Sequence, residues 1–511
     1  PAPAAPPPAP ERARRVDAGL WAAWALAAVW AGVLAWLSVA RHRAFATGRF
    51  DLGNMVQAVW STAEGRVLGT TDVSGVQFVR LGAHVDPVLV LFTPLWWLWS
   101  SPESLLVAQA LIVATGAVPA FLLGRRWLGD DRLALAGAAA YLLLPGMLSA
   151  VLFDFHPVTL AAPLLMFCIW AAEEARWWTL GACATLAALS QEQVGLLVAG
   201  IAVWLAVRHP ARRRAAAILG AASVAWVVIA LAVVMPAFAL AGNPQMRRYE
   251  ELGDGPLDIL VGFLTRPWEA AGVLATPGRA AYLAILLAPL LALPLLAPAL
   301  AAAALPQLLI NLFAREGPPQ GVAYHYAVLL VPILVAAAML GLARLRARER
   351  PAALVRLARR SGTMAALLTA AVLAAAVALG PLPGWGTGTL HAFTVDERAR
   401  ALARAVALVP PDAAVSASNA PGAHLSERER IHLFPRIGDA EWVVVDGTAR
   451  AREAAAERPT LFPPGTILRD RILAQSSRWA LVFDEADVRV YRRLGPAAPT
   501  VPSPRPPPAR R

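Results

Sequence analysis

Residues 48–60 read GRFDLGNMVQAVW. The stretch follows the first long apolar run and sets one carboxylate, Asp51, at the head of a short amphipathic segment. An acid in that place admits three readings: a helix cap, a metal ligand or a catalytic base. The choice depends first on whether the run before it crosses a membrane.

Composition bears on that directly. The chain has 511 residues, 58% of them hydrophobic and only 16% charged, with a mean hydropathy of +0.54. A soluble domain carries about a quarter charged residues. Runs of 18 or more apolar residues recur, long enough to cross a hydrocarbon core of roughly 30 Å. The chain therefore reads as an α-helical polytopic membrane protein in contact with the lipid bilayer. The net charge is +12 and there is no lysine, so all 46 basic residues are arginine. The arginines cluster between apolar runs, which fits cytoplasmic loops beside anionic lipid and gives no reason to invoke nucleic acid. Cys168 and Cys183 both lie in apolar runs and read as buried thiols, outside any disulfide framework.

Residues 1–17 are Pro/Ala-rich and then basic, and read as a disordered cytoplasmic N-terminus. The run over about 18–40 reads as an uncleaved first span. Further spans are expected near 104–123, 133–152, 157–173, 178–190, 194–207, 215–240, 280–297, 298–314, 326–343 and 363–383, about eleven in all. The intervening PVLVLFTPLWWLWSSPES is too short and too rich in tryptophan to span, and reads as an interfacial or re-entrant helix. This division places the arginine-rich turns inside. It leaves two long outer loops, about 41–86 and 242–280.

The same topology collects the unusual polar residues on the outer side: Asp51, Asp72, His84, Asp86, Asp154, His156, Glu192 and His325. Ionisable groups at membrane depth are candidates for function by default. Two segments mirror each other. His84-Val85-Asp86-Pro87 and Asp154-Phe155-His156-Pro157 each put a histidine and an acid two apart, directly before a helix-opening proline. In the plain reading Asp86 caps a helix and His156 merely precedes one. In the sharper reading His84, Asp86, Asp154 and His156 surround one outer cavity and hold a divalent metal ion or move a proton. Asp51 has its own plain reading, as the cap of a helix over 52–60 lying on the membrane surface. Glu192 can cap a turn. His325 and Tyr326 can anchor the opening of a span, and Arg80, Arg247 and Arg248 can be solvated loop charges.

Taken together, FDLGNMVQAVW, HVDPVLVLFTPLWWLW, FDFHPVTLAAP, SQEQVGLLVAG, LPQLLINLF with YHYAVLLVP, and DAAVSASNAPGAHLSERERIHLFP resemble a family of bacterial membrane proteins designated domain of unknown function 2079. The likeness runs over about 41–493. It departs at Gln191-Glu192-Gln193, where Lys-Glu-Asp is expected. That family in turn resembles the glycosyltransferases of C-type fold, such as the protein O-mannosyltransferases and the aminoarabinose transferases. The resemblance implies a sugar donor linked to polyprenyl phosphate. It implies an extracytoplasmic acceptor in the cell envelope: a glycan, a lipid or a protein. It makes Asp51 the essential acid of the first outer loop, with Glu192 as a second catalytic acid. Arg80, Arg247, Arg248, His325 and Tyr326 would bind substrate.

Residues 385–495 follow a different pattern. DERARALARAVALV reads as an amphipathic helix, and AAVSAS, EWVVVD, WALVFDE and VRVYRR read as strands. A small extracytoplasmic α/β domain is expected there, behind a transmembrane domain over 18–384. The Pro-rich residues 496–511 read as a disordered tail. Two other functions fit the same residues: a transporter or flippase of lipid-linked sugar, and a non-catalytic relative that binds such a lipid.

Overall fold

The computed structural model describes residues 17–72, 75–240, 275–314, 318–448 and 465–495, with scattered positions between. The expected N-terminal segment up to residue 16, the tail 496–511 and most of the loop 242–280, with Arg247 and Arg248, lie outside the described residues.

Every expected span meets a helix, but few of the helices reach span length. Four are long and apolar enough to cross a membrane: Ala18–Arg43, Pro102–Leu128, Pro210–Phe238 and Ser361–Leu379. A fifth results if Asp131–Leu143 and Pro145–Leu152, bent by 44°, count together. Pro157–Glu173, Val194–Arg208, Pro277–Leu290, Pro298–Phe313, Trp177–Ala188 and Leu330–Arg346 are shorter. At 1.5 Å per residue, a helix of 12 residues such as Trp177–Ala188 rises only ~18 Å. The count of about eleven full spans is thus not met among the described residues. The Trp-rich stretch is a short helix, Pro87–Leu98, that buries Trp96 and exposes Trp97 and Leu98.

The sequence sets where these helices begin. Asp17 caps the first, its side chain accepting from the Leu20 amide at 3.0 Å. Prolines occupy the first turn of the helices at 102, 145, 157 and 277, where their missing N–H has no partner to lose. The apolar runs then pack into one core of alanine, leucine and valine that takes in nearly every span.

Charged groups gather at the two ends of this bundle. At one end Arg125 meets Asp17 at 2.6 Å, Arg126 meets Glu174 at 3.1 Å, and Glu173 takes Arg208 at 3.1 Å and His209 at 3.0 Å. These are the arginine-rich turns that the positive-inside rule assigns to the cytoplasm. The opposite end carries Asp51, Asp154, His156, His84 and Glu192.

Over that second end sits the C-terminal domain. Its five strands are β3 (Val415–Ala417), β4 (Ile431–Leu433), β5 (Trp442–Asp446), β6 (Trp479–Glu485) and β7 (Val488–Arg493), in the order β4-β3-β5-β7-β6. β3 is parallel to both its neighbours, and β7 is antiparallel to both of its own. The expected helix forms at Glu397–Ala407, capped by Asp396 through the Ala399 amide. All four expected strands form, and the segment IHL adds β4 to them. A small hairpin in the first outer loop, β1 (Gly69–Thr71) with β2 (Gln77–Val79), was also not anticipated.

Candidate functional site

Asp51 does not cap a helix. It lies in a five-residue π-helical turn, Arg49–Gly53, and neither that turn nor the following helix Asn54–Ala63 has a side-chain cap. That helix also does not lie on the membrane surface. Met55, Val56, Ala58 and Val59 pack with Leu89, Phe92, Trp96 and Phe155 in a core of their own.

The Asp51 carboxylate turns instead to His156, whose Nε2 is 3.3 Å from Oδ1. Both residues are nearly out of solvent, Asp51 at 7% exposure and His156 at 5%. The His156 ring stacks on His325, with centroids 3.8 Å apart, and more loosely on Phe153 at 5.6 Å. His325 in turn leans on Tyr326 at 4.3 Å. The structure therefore brings Asp51, His156, His325 and Tyr326 into one contiguous group.

Asp154 holds this group from behind. Its Oδ2 accepts from the Gly48 amide at 2.9 Å and the Leu52 amide at 3.2 Å, so it grips the Asp51 turn on both flanks. Its backbone is left-handed, with φ +56°, a conformation aspartate tolerates better than most residues. Burial, and next the negative charge of Asp51, push its carboxyl up to about 6. Gln109, fully buried in a membrane span, fixes the Asp154–His156 turn. Its amide nitrogen donates to the Asp154 carbonyl at 2.8 Å, and its oxygen accepts from the His156 amide at 2.9 Å.

A second cluster joins the outer loop to the turn between the two short helices. Glu192 faces His84 Nδ1 at 3.1 Å and accepts from the Val85 amide at 2.9 Å. Burial raises the Glu192 carboxyl, but the His84 charge and these hydrogen bonds outweigh it and hold it below the usual range. Gln191 reaches the same His84 nitrogen at 2.9 Å. Asp86 does not cap its helix; it pairs with the buried Arg80 at 2.7 Å. Burial pushes the Asp86 carboxyl up despite that arginine.

These two clusters separate residues that the sequence reading combined. His84 and Asp86 belong to one, Asp154 and His156 to the other. Among the described residues no three His, Cys, Asp or Glu side chains converge as a metal-ion ligand set. Arg80 engages one oxygen of Asp86, and the Gly48 and Leu52 amides engage one oxygen of Asp154. Arg80, expected at the substrate, spends its charge on Asp86. Three contributors were missed. Gln109 carries a legible signal, a polar residue inside an apolar run. Arg41, whose charge acts on Asp154, sits where the first span ends. Asn419, which accepts from the Phe50 amide at 3.0 Å, comes from the far end of the chain.

The family model described as "Predicted membrane protein (DUF2079)" matches residues 41–461. The chain belongs to the DUF2079 family. The match takes in both clusters, the bundle beyond its first helix and the first part of the C-terminal domain. None of the curated proteins matches the chain in sequence. Among solved structures, this DUF2079 member is similar to ArnT from Cupriavidus metallidurans bound to undecaprenyl phosphate. Identity is 15% over 95% of this chain and 100% of that one, with a TM-score of 0.51. The apo form of the same ArnT matches at 15% identity over 93% and 98%, with a TM-score of 0.48. The DUF2079 chain thus shares the C-type glycosyltransferase fold expected of it.

Proposed function

We propose that this protein transfers a sugar from a polyprenyl-phosphate donor to an extracytoplasmic acceptor, a glycan, lipid or protein of the cell envelope, with Asp51 as general base. The observation that carries the reading is the buried Asp51–His156 pair at 3.3 Å, at the end of the bundle opposite the arginine layer. ArnT, of the same fold, binds undecaprenyl phosphate, which favours a lipid of that class as the donor's carrier.

In the reaction the acceptor hydroxyl gives its proton to Asp51 as its oxygen attacks the anomeric carbon. The bond from that carbon to the phosphate oxygen breaks, and the phosphate leaves with the electron pair. A single displacement inverts the anomeric centre. His156 orients the carboxylate and shares the proton it receives, the usual role of a hydrogen-bonded partner in acid–base catalysis. Asp154 fixes the turn that carries Asp51. His325 and Tyr326 form an aromatic wall beside the pair, suited to a sugar ring. The leaving phosphate calls for cationic donors, the role proposed for Arg247 and Arg248 of the second outer loop. Trp97 and Leu98 offer an apolar surface to the lipid tail where the outer-end helix meets the membrane.

Glu192 takes the part of a latch in this scheme. Its low-lying carboxyl is engaged on both oxygens, a poor starting point for taking a proton. The reading is tested by extracting the protein into nanodiscs and identifying the retained lipids by mass spectrometry. Polyprenyl phosphate or its sugar conjugate, retained above its share of the membrane, is the expected result. Bulk phospholipid alone, together with no label transfer from polyprenyl-phosphate sugar, would rule the reading out.

A further inference from the structure

The Asp51 turn is held from two sides, and only one belongs to the membrane bundle. Below it, Asp154 takes the Gly48 and Leu52 amides. Above it, the C-terminal domain lays the short helix Asn419–His424 across the turn, and the Asn419 side-chain oxygen accepts from the Phe50 amide at 3.0 Å. The amides of residues 48, 50 and 52 are thus shared between the two halves of the protein, with Asp51 in the middle.

The contact is close enough to depend on missing side chains. A Cβ on Gly48 would lie 2.4 Å from the Asn419 amide nitrogen, and one on Gly422 would lie 2.7 Å from Cβ of Arg49. Each glycine lets the other surface approach. Around them the junction is buried and hydrogen-bonded. Arg49, 4% exposed, donates to the Thr71 carbonyl at 2.9 Å and to Gln57 at 3.1 Å. Gln57 reaches the Arg428 and Glu429 carbonyls of the C-terminal domain at 3.0 and 2.9 Å. His424 is stacked between His42 and Phe45, each at 3.9 Å, and reaches the His42 carbonyl at 3.0 Å. A domain that merely covered the outer surface would have no reason to place a side chain on the amide next to the reactive acid.

We infer that the C-terminal domain completes the catalytic centre, with Asn419 as a positioning residue that sets the Asp51 carboxylate through the Phe50 amide. The inference rests on Asp51 being the general base, and its physical core, the clamp on the turn, can be measured apart from activity. A misplacement of about 1 Å in a reacting group costs ~100-fold in rate, so losing one of the three side-chain grips on the turn's amides is expected to lower kcat by ~10–100-fold.

The test uses the full-length protein in nanodiscs. Hydrogen exchange at single-amide resolution is compared between the wild type, Asn419→Ala and Asn419→Asp, with Arg404→Ala on the exposed far side as control. In Asn419→Ala the Phe50 amide exchanges faster, while the Gly48 and Leu52 amides, held by Asp154, keep their protection. In the same variant kcat falls with KM for the polyprenyl-phosphate sugar unchanged. Asn419→Asp still offers an acceptor oxygen, so it restores Phe50 protection and part of kcat. Its added negative charge beside Asp51 moves the acid limb of the rate profile to higher pH. Unchanged Phe50 exchange in Asn419→Ala overturns the clamp whatever the activity. Faster exchange with wild-type kcat overturns the positioning role. If Asp51→Asn itself transfers normally, the base reading has failed, and the exchange data still decide whether the clamp exists.

Discussion

Replacing Asp51 by asparagine separates the chemical role of this residue from every structural one. Asparagine keeps the size of the side chain and can still hydrogen-bond His156, but it cannot accept the acceptor's proton. Asp51 caps no helix, so no cap is lost. The substitution removes the charge facing His156, and with it the repulsion that helps raise Asp154, two changes of opposite sign. The net effect on stability is therefore expected within about 1 kcal/mol, the size of one ordinary hydrogen bond. The rate has no such compensation. A positioned acid–base group contributes ~10²–10⁴-fold, and at about 1.4 kcal/mol per tenfold that raises the barrier by roughly 3–5 kcal/mol. Alanine would not discriminate, because it would also leave a hole in a site that is 7% exposed. The assay follows label from a radiolabelled polyprenyl-phosphate sugar pool into membranes of a strain lacking the native gene, with protein level and thermal unfolding measured in parallel. Normal unfolding with transfer reduced by two orders of magnitude or more is the expected pattern. Transfer within about threefold of wild type would refute the base, because positioned bases contribute far more than that.

Asp154, raised from 3.8 to about 6, keeps a proton in the native state between those pH values that the unfolded chain has released. Its contribution to stability is therefore present at acid pH and lost as pH rises through about 6; thermal unfolding should show that slope in wild type and a flatter one in Asp154→Asn. Glu192→Gln removes the charge facing His84 while keeping an acceptor for the Val85 amide. It should lower stability by about 1–3 kcal/mol, the cost of an impaired buried polar contact, yet leave transfer within tenfold; a loss as deep as that of Asp51→Asn would make Glu192 catalytic. With Cys168 and Cys183 replaced by alanine, Ser477→Cys should label in intact cells with an impermeant thiol reagent, and Arg348→Cys only after lysis. Reversal of that pattern would turn the arginine end outward.

How much of this was legible in the sequence varies with the range of the interaction. The short-range signals were read well. Prolines at 102, 145, 157 and 277 open helices, Asp396 caps one, and the alternation in residues 479–493 makes a hairpin of strands. The grouping at one end was legible too: Asp51, Asp154, His156 and His325 lie together there, with Glu192 in the neighbouring cluster. Their partners were not legible. Asp51 and His156 lie 105 positions apart, and His84 and Glu192 lie 108 apart. Such pairs depend on how helices pack, and adjacent motifs say nothing of it. The cap readings of Asp51 and Asp86 failed for one reason: each side chain found a distant side-chain partner, His156 for Asp51 and the Arg80 guanidinium for Asp86, in place of a helix terminus. Span length failed for another. Apolar runs fix where a helix is buried, but the bend at Leu144 shortens what the run over 133–152 can cross; the break between Trp177–Ala188 and Val194–Arg208 falls where two short spans were expected.

The arrangement of polar groups also weighs between an enzyme and a transporter. A carrier that alternates its access needs polar groups that meet the substrate from both sides of the membrane. At the arginine end the principal buried acid is already neutralised: Glu173 is covered by Arg208, His209 and Trp127. Two polar side chains buried among the spans are tied to the other end. Gln109 bonds the Asp154 and His156 backbone, and Asn311 bonds the Tyr326 carbonyl at 3.0 Å. Between these layers the interior is the alanine, leucine and valine core. At the other end the balance differs: Asp51 and Asp154 are two buried acids whose charges act on each other, with Arg41 as a nearby cation. A bundle that concentrates buried, mutually repelling carboxylates at one surface, and closes that surface with a second domain seated on the same turn, is organised for a reaction at that surface. This favours the proposed transfer at that end over passage through the membrane.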